Sequence, residues 1–265
     1  MEDLAAVANR LRVRVLEVCC AAGGGHLGGA FSVMDILVAL YDHMIFDPHD
    51  PGWEQRDRLV FSKGHSCLAL YACLEEHGFF GPDVLDGYGK NGSLIGGHPK
   101  RGAVPGIEVT SGSLGHGLSL AAGMALATRH QDHDVYCVLS DGEMNEGSTW
   151  EAVMFAAQHK LDNLIAIVDY NRMLSLDKTE NILNVFPLAD KFGAFGWFVI
   201  FAEGHQIEEL SADLKSIPST PSKPIVIIAN TVKGKGVSFM ESSTKWHYRC
   251  PTPEERALAM RELIS

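Results

Sequence analysis

The sequence predicts an α/β fold, a parallel β-sheet flanked by helices on both faces, and three observations predict it. Helix and strand signals alternate from about residue 58 onward, the pattern of a parallel sheet covered by helices. The strand segments are short, β-branched runs: VYCVLS at 135–140, LIAIVD at 164–169 and IVIIAN at 225–230. No linker-like break in composition and no internal repeat interrupts the 265 residues. They read as a single domain over 1–265, long enough to bury a substantial core.

The elements follow in order. Leu4, Val7, Ala8, Leu11, Val15 and Val18 recur at helical spacing and mark one face of an opening helix. Ser32, with Asp35 three residues later, suggests a capping box that opens a helix over 32–43. Residues 58–62 predict a short strand, and 67–77 the helix after it. A glycine-rich passage over 87–117 shows little periodicity and reads as loop. Leu118, Ala121, Ala122, Ala125 and Leu126 restore the helical period, and 135–140 is a strand. Trp150, Val153, Met154 and Ala157 stripe the next helix, and 164–169 is the next strand. Beyond a loop come a helix near 187–195, a strand at 197–201, a helix at 206–215 and a strand at 225–230.

Composition narrows the function. A formal net charge of −11 opposes binding to a phosphate backbone, so no nucleic-acid partner is expected. No run approaches the roughly 20 apolar residues that cross a bilayer. The acidic, amphipathic start MEDLAAVANR is unlike a secretory signal. No membrane association and a cytoplasmic location are expected. Cys19, Cys20, Cys67, Cys73, Cys137 and Cys250 form no CxxC pair and sit mostly among apolar neighbours, which predicts free, buried thiols.

Chemistry concentrates where two adjacent strands end. VYCVLS runs into Asp141-Gly142, and LIAIVD runs into Tyr170-Asn171-Arg172-Met173. Open α/β sheets bind ligands at the carboxyl ends of their strands. The Asp141 carboxylate and the Asn171 amide oxygen are hard ligands suited to Mg²⁺ or Ca²⁺. Gly142 lets a diphosphate approach the backbone closely. The 30 residues from 141 to 171 match one strand–helix–strand crossover. An Asp turn and an Asn turn that hold no metal are the alternative reading.

These two turns resemble the metal–diphosphate motif of the thiamine-diphosphate enzymes, Gly-Asp-Gly followed one crossover later by Asn at a strand end. Ser140 stands here for the first Gly, and Tyr170 precedes the Asn. Further segments resemble the transketolase family. They are Gly24-Gly25-His26-Leu27-Gly28-Gly29, Phe61-Ser62-Lys63-Gly64-His65, Gly97-His98-Pro99, and the run from Thr110 through Gly112-Ser113-Leu114-Gly115-His116-Gly117. Lys233-Gly234-Lys235-Gly236 then precedes Trp246-His247. Their order and spacing hold along essentially the whole chain.

The resemblance implies roles. Asp141 and Asn171 supply side-chain oxygens to the metal, and Met173 its backbone carbonyl. His65 and His247 donate to the diphosphate or assist proton transfer, since imidazole titrates near neutrality. His26, His98 and His247 line the substrate channel as catalytic residues. Gly112, Ser113 and Leu114 join Gly142 and Asn171 in cofactor binding, with Gly112 and Leu114 meeting the aminopyrimidine through backbone groups. Glu146 matches a glutamate between the two active sites of the family's dimer; a carboxylate favoured by a helix N-terminus is the other reading. His116 in place of Gln and Leu27 in place of Pro depart from the pattern.

The implied activity is thiamine-diphosphate-dependent transfer of a two-carbon ketol unit from a ketose to an aldose, on sugar or sugar-phosphate substrates. In the resembled enzymes the Glu that activates the cofactor belongs to a second, pyrimidine-binding domain. The sequence closes on TPEERALAMRELIS, where the family's diphosphate-binding domain ends. The expectation is the N-terminal subunit of a split transketolase, completed by a C-terminal, pyrimidine-domain subunit in an α2β2 heterotetramer. A deoxyxylulose-phosphate-synthase-like or dehydrogenase-alpha-like subunit is one alternative, and a truncated, non-catalytic cofactor binder is another. No Walker A segment is present to support a different nucleotide-binding enzyme.

Overall fold

Five strands, β1 (Arg58–Phe61), β2 (Val135–Ser140), β3 (Leu164–Tyr170), β4 (Phe198–Glu203) and β5 (Ile225–Asn230), pair in the order β1-β2-β3-β5-β4, every pair parallel. The computed structural model of the chain describes residues 3–217 and 222–264, so the bounds 1 and 265 of the predicted domain lie outside the described residues. Among the described residues ten helices accompany the strands: α1 (Leu4–Ala22), α2 (Leu27–His43), α3 (Cys67–Glu76), α4 (Pro82–Asp86), α5 (Gly117–Thr128), α6 (Gly147–Gln158), α7 (Thr179–Ile182), α8 (Leu188–Ala194), α9 (Ile207–Lys215) and α10 (Pro253–Ile264).

Neighbouring residues of each central strand point to opposite faces, and both faces are covered. Val138, Ile165, Ile167, Ile225 and Ile227 belong to one core, with Leu11 and Val15 of α1, Ile36 and Leu40 of α2, and Leu210 of α9. Cys137, Leu139, Ala166, Val168, Val226 and Ile228 belong to the other, with Ala122 of α5, Val153 of α6 and Phe192 of α8. Burial on both sides is why these strands read as unbroken apolar runs instead of alternating ones. Each fully buried aliphatic side chain contributes roughly 1.5–3 kcal/mol.

The expected start of the second helix is wrong. The second helix begins at Leu27, and Ser32 lies inside it, so Ser32 and Asp35 form no capping box. Ser32 Oγ instead donates to Asp169 Oδ2 at 2.6 Å, and Asp35 pairs with Arg12 at 2.6 Å. The Gly28-Gly29 pair lies in the first turn of this helix, where crowding requires glycine. A Cβ on Gly29 would lie 2.5 Å from Ser66 Oγ. The expected strand at 197–201 lies one residue later in the structure and runs on to Glu203, while α4 and α7 are short helices without a counterpart in the sequence reading. The passage between α4 and α5 is largely turns and irregular backbone, as expected.

All six cysteines are free, Cys19, Cys67, Cys73 and Cys137 being buried and Cys20 and Cys250 half-buried. Among the described residues, no helix is long and apolar enough to cross a membrane. Because every strand runs the same way, the carboxyl ends of β1, β2, β3 and β5 gather on one edge. That edge carries the site.

Candidate active site

Strands β2 and β3 are neighbours, with Ser140 opposite Asp169 in register. Asp141 and Asn171, each just beyond that pair, therefore emerge side by side. Asp141 is 1% exposed. Its carboxylate accepts from Gly142 N at 2.8 Å and Thr179 Oγ1 at 3.3 Å. Burial first, and the Asp169 charge second, push its pKa up to about 7. A carboxylate so placed is short of positive charge, which a divalent cation would supply. Asn171 donates from Nδ2 to Asp169 Oδ2 at 3.4 Å, which turns its Oδ1 to the opposite side, where it accepts from Met173 N at 3.1 Å. Among the described residues no three His, Cys, Asp or Glu side chains could hold a metal together. A cation beside Asp141 would thus draw on amide and carbonyl oxygens, the donor set of Mg²⁺ or Ca²⁺ and not of zinc.

Beneath this turn lies a buried ion pair. Lys63 and Asp169 are both fully buried and in direct contact. Asp169 also accepts from Ser32 and Thr231. Burial alone would raise its pKa, but the Lys63 ammonium and these hydrogen bonds hold it below the usual carboxylate range. The pair ties β1, α2, β3 and the residue after β5 together under Asn171.

Four histidines converge above the turn. The His26 ring centroid lies 5.4 Å from that of His65, 6.2 Å from His98 and 5.1 Å from His247, and His65 and His247 are 5.9 Å apart. Tyr248 closes on His26 from outside at 4.7 Å. Burial, followed by the neighbouring imidazoles and Lys233, lowers His26 to about 4. Burial, followed by Lys233 and Lys63, does the same to His247. Burial and the Lys63 charge hold His65 well below the usual imidazole range. Near neutral pH the His26, His65 and His247 rings are uncharged, each with one N–H and one lone pair.

A cavity of about 260 Å³ lies between the histidines and the Asp141 turn. Of the predicted residues, His65, Gly112, Leu114, Gly142, Asn171, Met173 and His247 line it. Asp141 sits buried just behind, and His26 and His98 adjoin through their ring contacts. Gly112 has φ +145°, and a Cβ there would lie 2.9 Å from the His98 ring, so only glycine lets the backbone pass this close. Ser113 and Glu146 are exposed and do not line the cavity. Glu146 is the N-cap residue of α6 but its side chain makes no capping bond there. A larger cavity of about 500 Å³ adjoins. It shares Asn171 and Met173 but none of the four histidines, so the smaller one is the candidate site.

Sequence reasoning gave no part in the site to Lys63, Lys233, Thr179 or Asp169, and took Ser32 for a helix cap. Lys63 and Lys233 stood inside recognised motifs, and Asp169 was legible as a lone charge ending the apolar run LIAIVD. Thr179 left no signal.

The family described as Transketolase, thiamine diphosphate binding domain, matches residues 4–262. The chain is 43% identical to an apulose-4-phosphate transketolase subunit of Phocaeicola vulgatus, over 99% of this chain and 94% of that one. It is 42% identical to the 6-deoxy-6-sulfo-D-fructose transketolase subunit SqwG of a Clostridium species, over 98% and 96%. The transketolase of Leishmania mexicana superposes with a TM-score of 0.94 at 31% identity, over 99% of this chain and 41% of that chain. The present chain thus spans about two fifths of that solved transketolase. These relatives are transketolases and not the synthase-like or dehydrogenase-like enzymes weighed from the sequence. The chain belongs to the transketolase family and is its thiamine-diphosphate-binding part, matching nearly end to end the subunits that some members carry separately.

Proposed function

We propose that this chain, as one domain over 1–265, acts in the cytoplasm as the diphosphate-binding subunit of a split transketolase, in an α2β2 complex with a pyrimidine-domain subunit. The observation that carries the reading is the convergence of His26, His65, His98 and His247 over a cavity floored by the Asp141–Asn171 turn. When bound, thiamine diphosphate supplies the carbon nucleophile that accepts and hands on the two-carbon ketol unit.

The chain's own residues would bind and orient. Asp141, Asn171 and the Met173 carbonyl would hold Mg²⁺ with the diphosphate, and Gly142 would let its oxygens near the backbone. Gly112 and Leu114 would present backbone groups to the cofactor's ring. His26, His98 and His247 would meet sugar hydroxyls. With pKa values near 4, His26 and His247 serve as neutral hydrogen-bonding groups, able to donate and accept at once, and not as cationic acids. The partner would supply the activating Glu and exclude water from the cofactor's far side.

A ketol-transfer assay on each purified chain and on the co-expressed complex tests this. Turnover is expected from the complex alone. Turnover by this chain free of any partner, verified by mass spectrometry, would refute the split-enzyme reading.

A further inference from the structure

One ring nitrogen of His247 is already engaged. The Lys233 side-chain nitrogen lies 3.1 Å from His247 Nδ1 and donates to the Leu174 carbonyl at 2.8 Å. Lys233 is 3% exposed, so bulk water offers no substitute for these contacts. Burial lowers its pKa to about 8, which leaves it an ammonium at pH 7. An ammonium has donors and no acceptor, so it meets an imidazole nitrogen only through a lone pair. Nδ1 is that lone pair, and a neutral His247 then carries its proton on Nε2.

We propose that Lys233 is a positioning residue that locks His247 in its Nε2–H tautomer, so that the ring offers the sugar-binding end of the site an N–H donor and not a lone pair. The catalytic consequence rests on His247 facing the sugar, its role in the proposed function; the tautomer follows from the contact itself. A neutral N–H donor stabilises negative charge that develops on a sugar oxygen, whereas a lone pair would repel it.

Lys233 is itself held from behind. Val232 N donates to His205 Nε2 at 2.7 Å, and His205 Nδ1 lies 2.6 Å from Asp35 Oδ2, which is ion-paired with Arg12. His205 is thereby fixed in the opposite tautomer, with its proton on Nδ1. Gly234 N donates to Gly28 O at 2.9 Å, and a Cβ on Gly28 would meet Lys233 Cγ at 3.1 Å. A chain of oriented contacts runs from Arg12 through Asp35, His205 and Val232 to Lys233 and His247.

The test uses the co-purified complex with this chain labelled by ¹⁵N-histidine, studied by magic-angle-spinning ¹⁵N NMR at pH 7. His247 signals are assigned by difference against His247→Gln. The wild type is expected to show unprotonated Nδ1 and protonated Nε2. Lys233→Met should bring in a protonated Nδ1 population, and Lys233→Arg, which keeps a donor, should restore the wild-type pattern. In parallel, Lys233→Met should lower kcat/KM for the ketose by roughly ten- to a hundredfold, the range for a lost charge-assisted hydrogen bond, with most of it recovered in Lys233→Arg. A protonated Nδ1 in the wild type overturns the proposal and needs no variant. An unchanged Nε2–H tautomer in folded Lys233→Met overturns it too. Absence of ketol transfer by the wild-type complex would instead count against the transketolase reading and leave the tautomer result intact.

Discussion

Asp169 is ion-paired with Lys63 inside the fold, whereas the carboxylate of Asp141, at the end of the adjacent strand, takes hydrogen bonds from Gly142 N and Thr179 Oγ1. One carboxylate is neutralised by the chain; under the proposed function the other would be the cation's ligand.

Lys63→Met should therefore be strongly destabilising. It leaves Asp169 charged and buried without its partner, and breaking a buried pair costs about 3–5 kcal/mol. Urea denaturation of the complex measures it. A loss under 1 kcal/mol (roughly the value of an exposed pair) would mean that Asp169 does not depend on Lys63.

Asp141→Asn should behave the other way. It removes a charge that burial and Asp169 already disfavour, so the ligand-free fold should be no less stable. Magnesium-dependent binding of thiamine diphosphate by the complex should be lost, read by isothermal titration. EDTA treatment of the wild-type complex should reproduce the loss, and added Mg²⁺ or Ca²⁺ should reverse it only in the wild type. Unchanged affinity in the variant would remove Asp141 from the metal site.

His98 is exposed, and its ring meets His26 and the Gly112 backbone. His98→Ala should leave the melting temperature and cofactor affinity nearly unchanged and lower turnover by about 10²–10⁴-fold, the range for a positioned proton-transfer group. Steady-state kinetics on the complex, with cofactor titration alongside, separates the two effects. Wild-type turnover in the variant would exclude His98 from the sugar channel.

The half-buried imidazoles should also shape stability against pH. Folded His26 and His247 titrate near 4, while unfolded imidazole titrates near about 6.5. Between those values the unfolded chain binds protons that the folded chain refuses. Their contribution is thus intact above about pH 6.5 and declines as pH falls toward 4. Asp141 and Asp134, raised to about 7 and about 6, act with opposite sign over part of the same window. The imidazole part is accordingly a difference: His26→Asn should gain stability relative to wild type as pH drops from 7 to 5, by paired urea titrations. A difference that stays flat or reverses would show that His26 is not kept neutral by the fold.

Much of this arrangement is legible in the sequence, for a physical reason. Strands buried on both faces must be apolar throughout, so β2, β3 and β5 announce themselves, and the turns after β2 and β3 carry the proposed ligands at fixed offsets. The start of α2 was not legible. Gly28 and Gly29 suggest a loop, and the crowding against Ser66 and Lys233 that demands glycine there comes from segments distant in sequence. Ser32 likewise looks like a cap because nothing local shows that Asp169, 137 residues away, receives its hydroxyl. The strand order is hidden for the same reason. Ser113 and Glu146, carried over with their motifs, lie exposed outside the cavity, since a motif conveys proximity along the chain and not orientation.

That strand order sets a timetable for biosynthesis. β5 lies between β3 and β4, so β4, although made earlier, has no strand to pair with until β5 emerges. The residues just after β5 then deliver Thr231 to Asp169 and Lys233 to His247 and Leu174. A nascent chain halted before residue 225 would hold the Asp141 and Asn171 turns on an unfinished sheet with an open edge, prone to wrong pairing. The cofactor pocket is among the last features the ribosome can complete, and a chaperone guarding the β3 edge would have most to do while β4 waits.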